Sequence, residues 1–288
     1  MKKILVPVDF SDHTNITCGY AMEFARAYAS ELLLFHTYFD QVILTDTTFP
    51  DSMNINAVYD EELIREIQKL SEKNMEELHA RILDQASREG MGNIRISTRV
   101  VGGDIEMELR MVCNDFQPSM VVMGTRGQGR NVNIWGRVST HIINHAKVPV
   151  LTVPELSAVK GFQAVMFAAD LSESNAAAIH KVLRTMKPFG SRILVVHFLT
   201  GKEGEAEKME ALRQSFTGET ASGLIRFDLV KVEEDNQKAL DEFVQNLGVS
   251  VIAFQPHKRS VFYNLFTRNL TKKNLFSTHI PLLAIPVD

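Results

Sequence analysis

A block near the amino terminus of the 288-residue chain returns after its midpoint, and no other sequence feature constrains the fold as much. Lys3-Ile-Leu-Val-Pro-Val-Asp-Phe-Ser11 reappears as Ala164-Val-Met-Phe-Ala-Ala-Asp-Leu-Ser172, 161 positions later. The offset holds without a gap to Leu33-Leu34-Phe35-His36 and Leu194-Val195-Val196-His197. A second block, Val101-Gly-Gly-Asp104 through Met120-Val-Val-Met-Gly124, aligns with Val232-Glu-Glu-Asp235 through Val251-Ile-Ala-Phe-Gln255 at an offset of 131. The tails agree too: Val148-Pro149-Val150-Leu-Thr-Val-Pro154 with Ile280-Pro281-Leu282-Leu-Ala-Ile-Pro286. These blocks in one order predict two diverged copies of a single domain, 1–155 and 160–288, with a linker near Glu155–Gly161. The fall in offset leaves 30 extra residues in the first copy. Its polar segment Tyr38–Tyr59, with Pro50, reads as an added loop: a lid, a contact arm or a mobile segment.

Within each copy, short apolar, β-branched runs alternate with helical periodicity. In the first these are Ile4–Val8, Leu32–His36, Ile94–Val101, Met120–Met123 and Val148–Val153. A helix introduced by Ser11-Asp12 carries apolar residues Ala21, Phe24, Ala25 and Tyr28, and Glu61–Ala86 is a charged amphipathic helix. Apolar strands separated by helices predict an α/β fold, two tandem copies of a five-stranded parallel sheet with helices on both faces. Ligands of such sheets bind beyond the carboxyl ends of the strands, here Pro7–Asp9, Thr37, Val101–Asp104 and Gly124–Thr140.

Composition mainly excludes. A net charge of −4 and a pI near 6.2 provide no basic field for nucleic acid or an anionic membrane. No apolar run approaches the roughly 18–20 residues of a membrane span, and Asp9 and Asp12 interrupt the N-terminal apolar stretch. Two cysteines, Cys18 and Cys113, make neither a disulfide framework nor a tetrahedral metal site and read as buried thiols. The expected location is cytoplasmic.

The strongest chemical signal is the run Met123-Gly124-Thr-Arg-Gly127-Gln-Gly129-Arg-Asn-Val-Asn-Ile-Trp-Gly136-Arg-Val-Ser139-Thr140, which follows a strand and leads into a helix. Glycines let backbone amides approach phosphate oxygens, and a helix start adds partial positive charge. Arg126, Arg130 and Arg137 supply cations, and Ser139 and Thr140 supply hydroxyls. The plainer alternative is a glycine-rich turn with surface arginines.

Taken with the Ile4-Leu-Val-Pro-Val-Asp-Phe-Ser11 strand, His36 and the closing Val148-Pro-Val-Leu-Thr-Val153, this loop makes the chain resemble a tandem universal stress protein. The resemblance covers both halves nearly end to end and implies the adenine-nucleotide alpha-hydrolase-like fold. ATP-binding members carry Gly-x2-Gly-x9-Gly-Ser/Thr; here the pattern is Gly124-x2-Gly127-x8-Gly136-Arg137, one residue shorter and with Arg for the hydroxyl. The resemblance implies ATP in the first copy. Asp9 would bond the ribose or adenine, Pro7, Val8 and Thr37 would line the base pocket, and Val101 and Gly102 would close it. Met123 opens the loop whose Gly124, Arg126, Gly127, Gly136, Arg137, Val138 and Ser139 would face the phosphates. Mg²⁺ or Mn²⁺ would ride on those phosphates, not in a protein cage. Asp9 has a second reading, as a helix-cap partner of Ser11, and Asp170 keeps its place in the second copy.

The second copy replaces Gly124-Thr-Arg-Gly127 by Gln255-Pro256-His257-Lys258, and Gly136-Arg137 by Arg268-Asn269. Pro256 has no amide to donate, so this half is expected not to bind ATP in the family manner. Its basic residues, His257, Lys258, Arg259, Lys272 and Lys273, read as a solvated face. Its aromatics Phe262, Tyr263 and Phe266 start a helix, and Trp135 of the first copy reads as core or interface. His36 and His197 end strands as backbone-satisfied histidines. His141 and His145 have metal-ligand spacing but no adjacent third ligand in sequence. Neither a nucleophile elbow nor a P-loop appears. The functional expectation is a stress-response regulatory protein that binds ATP or a related adenine nucleotide, with at most slow hydrolysis. A homodimer or a pseudo-dimer between the copies is expected, with protein partners unspecified. The rival is a nucleotide-free interaction scaffold in which the final strands, with Pro149 and Pro281 at their starts, pair the copies. An adenylating synthetase would need a Ser-Gly-Gly loop after the first strand, and Asp9-Phe10-Ser11-Asp12 is not one.

Overall fold

The computed structural model describes residues 1–38, 61–125, 137–155, 157, 161–199, 201–231, 244–256 and 279–287. The loop expected over 38–59 lies outside these apart from Tyr38, as do 126–136, which hold Arg126, Gly127, Trp135 and Gly136, and the basic residues from His257 to Lys273.

The first half contains β1 (Lys3–Pro7), α1 (His13–Tyr28), β2 (Glu31–Tyr38), α2 (Glu61–Arg88), β3 (Ile96–Gly102), α3 (Ile105–Phe116), β4 (Met120–Gly124), α4 (Arg137–His145) and β5 (Val150–Val153). The second has β6 (Ala164–Ala168), α5 (Asn175–Met186) with a 3₁₀ turn at Lys187–Phe189, β7 (Arg192–Phe198), α6 (Glu205–Gln214), α7 (Thr217–Ala221), β8 (Ile225–Val230), β9 (Val251–Phe254) and β10 (Leu282–Ala284). Each half orders its strands identically, 3-2-1-4-5 matching 8-7-6-9-10, with every pairing inside a half parallel.

Two copies of a five-stranded parallel sheet are thus present, and the last strand of each joins them. β5 pairs antiparallel with β10, Leu283 opposite Leu151, so the described strands form one ten-stranded sheet. Pro149 and Pro281 lie just before those strands. There they withhold no ladder N–H, and their carbonyls accept from Val121 and Ile252 N–H. The register corrects the alignment of the third strand. Thr37 pairs with Val101 and Phe198 with Val230, so Val101 corresponds to Val230 and not to Val232.

Alternation along the strands builds two cores. Ile4, Val6, Leu151, Val165, Phe167 and Leu283 face one layer of helices; Leu5, Val121, Val150, Met166, Ile252 and Leu282 face the other. α2 shows how the sequence selects its element. Its buried residues, Ser71, Met75, Leu78, Ile82 and Ala86, recur every three or four positions, and its outer face carries Arg65–Glu61 and Arg88–Asp84 pairs. Such pairs add only ~0.3–0.5 kcal/mol each, so the apolar stripe decides the helix's position. Across the halves, Phe24, Phe162 and Phe189 pack with ring centroids 4.5–4.9 Å apart, and the Tyr28 hydroxyl lies 2.7 Å from the Arg184 carbonyl oxygen. Both halves therefore share continuous cores on both sides of the sheet.

Candidate functional site

The turn after β1 holds the same unusual backbone in both halves. Phe10 and Leu171, 161 positions apart, have φ of 60° and 59°, a conformation uncommon for residues other than glycine. Asp9 holds this turn. Its Oδ1 accepts from Ser11 N (3.1 Å), Ser11 Oγ (2.7 Å) and Thr14 Oγ1 (3.1 Å). Asp170 repeats the bond to Ser172 N at 3.0 Å. The helix-start reading of Asp9 therefore has a geometric basis, while its place at a strand's carboxyl end also puts it at the edge of a cavity.

That cavity, of about 200 Å³, opens where β1 and β4 lie side by side and strand order reverses. Pro7, Val8 and Asp9 come from the end of β1, and Met123, Gly124 and Thr125 from β4 and the residue beyond it. Three helix starts close the rest: His13, Thr14 and Thr17 on α1, Ile105 on α3, and Val138 and Ser139 on α4. Asp104 caps α3, its Oδ1 accepting from Glu106 N (3.0 Å) and Met107 N (3.1 Å). Helix starts turn unpaired N–H groups and partial positive charge toward the space between them. Pockets for drug-sized ligands run to about 300–1,000 Å³, so the described walls enclose a smaller space than such a ligand fills.

Of the residues named from sequence, the cavity gathers Pro7, Val8, Asp9, Met123, Gly124, Val138 and Ser139. Thr37, Val101 and Gly102 do not line it: they sit on β2 and β3, one and two strands from β1, with Thr37 paired to Val101. Arg137 begins α4. Five residues missed from sequence, His13, Thr14, Thr17, Ile105 and Thr125, also form the walls, and all but the half-buried Ile105 are buried. The signal for the first three was present: polar residues on the face of α1 that also carries Cys18, Ala21 and Phe24, where an apolar stripe alone would bury more comfortably.

His36, on β2, has its Nδ1 2.8 Å from the Val8 carbonyl oxygen and its ring 4.2 Å from that of Phe10. Burial pushes its pKa below the ordinary value; the Val8 hydrogen bond and the Asp9 charge partly oppose this. His197 repeats the bond to the Ala169 carbonyl oxygen at 2.8 Å and adds a buried contact of 3.1 Å to Glu205. Burial raises the Cys18 thiol to about 12, opposed by Arg81, so it is inert; Cys113 is half-buried.

At the matching place in the second half, side chains bond to one another. Gln255 stands where the first half has Gly124, Ser174 where it has His13, and Asn175 where it has Thr14. The Gln255 amide reaches Ser174 Oγ, 2.8 Å from Nε2 and 3.0 Å from Oε1. Asn175 Nδ2 donates to Asp170 Oδ1 (2.7 Å) and Ser172 Oγ (3.0 Å), with Gln255 Oε1 at 3.4 Å. Asn175 and Gln255 are 1% and 4% exposed, so the network is buried.

The model of the Universal stress protein family matches residues 1–154. The chain belongs to the universal stress protein family. Universal stress protein MJ0577 of Methanocaldococcus jannaschii is 23% identical over 159 residues, 53% of this chain and 94% of that protein. A universal stress protein structure from Archaeoglobus fulgidus covers 99% of the chain and 96% of its own with a TM-score of 0.67 at 16% identity. A functionally unknown protein from Pseudomonas aeruginosa PAO1 covers 100% and 93% with a TM-score of 0.61 at 12% identity. At these identities the two structures share the fold, and they share it across both halves. Among the described residues, no helix of this universal stress protein is long and apolar enough to cross a membrane.

Proposed function

We propose that the first half binds ATP or a related adenine nucleotide, that the second half does not, and that the protein acts as a cytoplasmic stress-response regulator through the bound state. One observation carries this reading: a cavity at the β1/β4 switch point lies between three helix starts, while at the matching place of the second half Gln255 bonds to Ser174 and Asn175. Asp9 at the rim offers a carboxylate to ribose hydroxyls or an exocyclic amine, and Thr14, Thr125 and Ser139 offer hydroxyls. The helix starts suit the phosphate end, and Mg²⁺ or Mn²⁺ would arrive on those phosphates. We assign no turnover beyond slow hydrolysis, since the sequence carries neither a nucleophile elbow nor a P-loop.

A second reading, a nucleotide-free scaffold, draws on the β5–β10 pairing and the shared cores, which already join the copies as a pseudo-dimer within one chain. Titration calorimetry with ATP and Mg²⁺ separates the two. Saturable binding at one site per chain supports the nucleotide reading; no heat at millimolar ATP leaves the scaffold.

A further inference from the structure

We propose that His141 and His145 form a surface site for a borderline divalent transition-metal ion such as zinc, with Glu106 holding one of the rings. The residues are four apart on α4, which places them on one face, one turn apart. Their rings stack with centroids 4.2 Å apart and planes inclined by 25°. Each Nδ1 faces an oxygen: His145 Nδ1 is 2.8 Å from the His141 carbonyl oxygen, and His141 Nδ1 is 3.5 Å from Glu106 Oε2 on α3. An Nδ1–H given to such an acceptor selects the tautomer whose Nε2 carries the lone pair. Metal-ligating histidines nearly always have this arrangement, because the outer acceptor fixes the ring and raises its basicity. His145 has it from the His141 carbonyl oxygen, and the Glu106 carboxylate stands 3.5 Å from His141 Nδ1.

Two further features favour a cation at this place. His145 is the last residue of α4, where the helix end carries partial negative charge. Rotation about the second side-chain torsion of histidine is soft, so a small turn of the stacked rings would bring both lone pairs to one ion at ~2.0–2.1 Å. Among the described residues no three His, Cys, Asp or Glu side chains surround one point, so water completes the shell and affinity is moderate. Imidazole nitrogens select zinc, nickel and copper over magnesium and calcium. The chemistry thus differs from that of ions carried by phosphates, and the inference stands independently of the nucleotide reading. The spacing of the histidines was visible in sequence; the carboxylate arrives through the packing of α3 beside α4.

Calorimetric titration of the whole untagged chain with Zn²⁺, no nucleotide present, tests the site. One Zn²⁺ per chain is expected, unaffected by excess Mg²⁺. His141→Ala and His145→Ala should each weaken it at least about tenfold, and Glu106→Gln about tenfold, the loss usual when a partner of a metal-bound histidine is removed. His145 is exposed, so His145→Ala should melt like the wild type without metal. Should a variant fail to fold, nitrogen-15 NMR of the wild-type imidazoles replaces it, and the Nε2 signals of both residues should shift together on Zn²⁺ addition. No zinc heat in the wild type, identical isotherms for the wild type and both histidine variants, or shifts confined to other histidines would overturn the proposal.

Discussion

The two halves share strand order, turn geometry and the histidine bond to the strand carbonyl, yet differ where β4 and β9 end. In the first half Gly124 contributes no side chain and the space above it is a cavity. In the second, Gln255 extends into the matching space and satisfies Ser174 and Asn175. A cleft lined with polar groups must satisfy them with ligand, water or its own side chains, because a buried unpaired donor costs about 1–3 kcal/mol. The second half gives that role to its own side chains. Under the proposed function, the difference teaches that a binding site can give way to a polar network with the fold unchanged around it.

The sharpest way to break this comparison is to move the plug. Gly124→Gln should lower ATP affinity by more than about 100-fold, or about 2.7 kcal/mol, in calorimetry, since the side chain enters the ligand's space. An unchanged affinity would place the nucleotide elsewhere. Removing the plug is the next largest effect. Gln255→Ala strips a partner from Ser174 and Asn175 and should cost about 1–3 kcal/mol in urea unfolding while ATP affinity in the first half stays constant.

The aspartates sharpen the comparison further. Asp9→Asn should weaken ATP about tenfold, the ~1.4 kcal/mol expected for a charge-assisted contact, whereas Asp170→Asn should leave affinity untouched. Equal losses from both would show that the carboxylates serve only the turn they share. The smallest effect concerns pH. Because folding lowers the His36 pKa below its ordinary value of 6.5, the unfolded chain binds more protons there. The stability contributed by neutral His36 is thus present above about 6.5 and lost as pH falls through the window beneath it. Thermal melts of His36→Gln should show a shallower loss on acidification than the wild type.

Much of the fold was legible because it depends on local pattern. The 161-residue offset set β1 and β2 against β6 and β7, and it survives in the register itself, Ile4 opposite Leu32 and Val165 opposite Ile193. The third strand was less legible. β3 and β8 lie at the sheet's outer edges, their partly exposed residues carry little apolar signal, and the alignment there slipped by two positions. That β5 and β10 join the halves within one chain depends on pairing, which apolar runs alone do not encode. At the site, strand-end residues such as Asp9 and Gly124 could be named from topology. His13 and Thr17 left a signal as polar residues on the buried face of α1, but that they meet the cavity is decided by how α1 leans on the sheet. Gln255 was visible as a lost glycine, but its bonding role appears only with Ser174 and Asn175 around it.

The central claim is one nucleotide per chain, held by the first half. Native mass spectrometry of the chain with saturating ATP and Mg²⁺, run beside Gly124→Gln, counts it directly. The account predicts a single bound nucleotide in the wild type and none in the variant. Two nucleotides per wild-type chain, or one retained in Gly124→Gln, would contradict it.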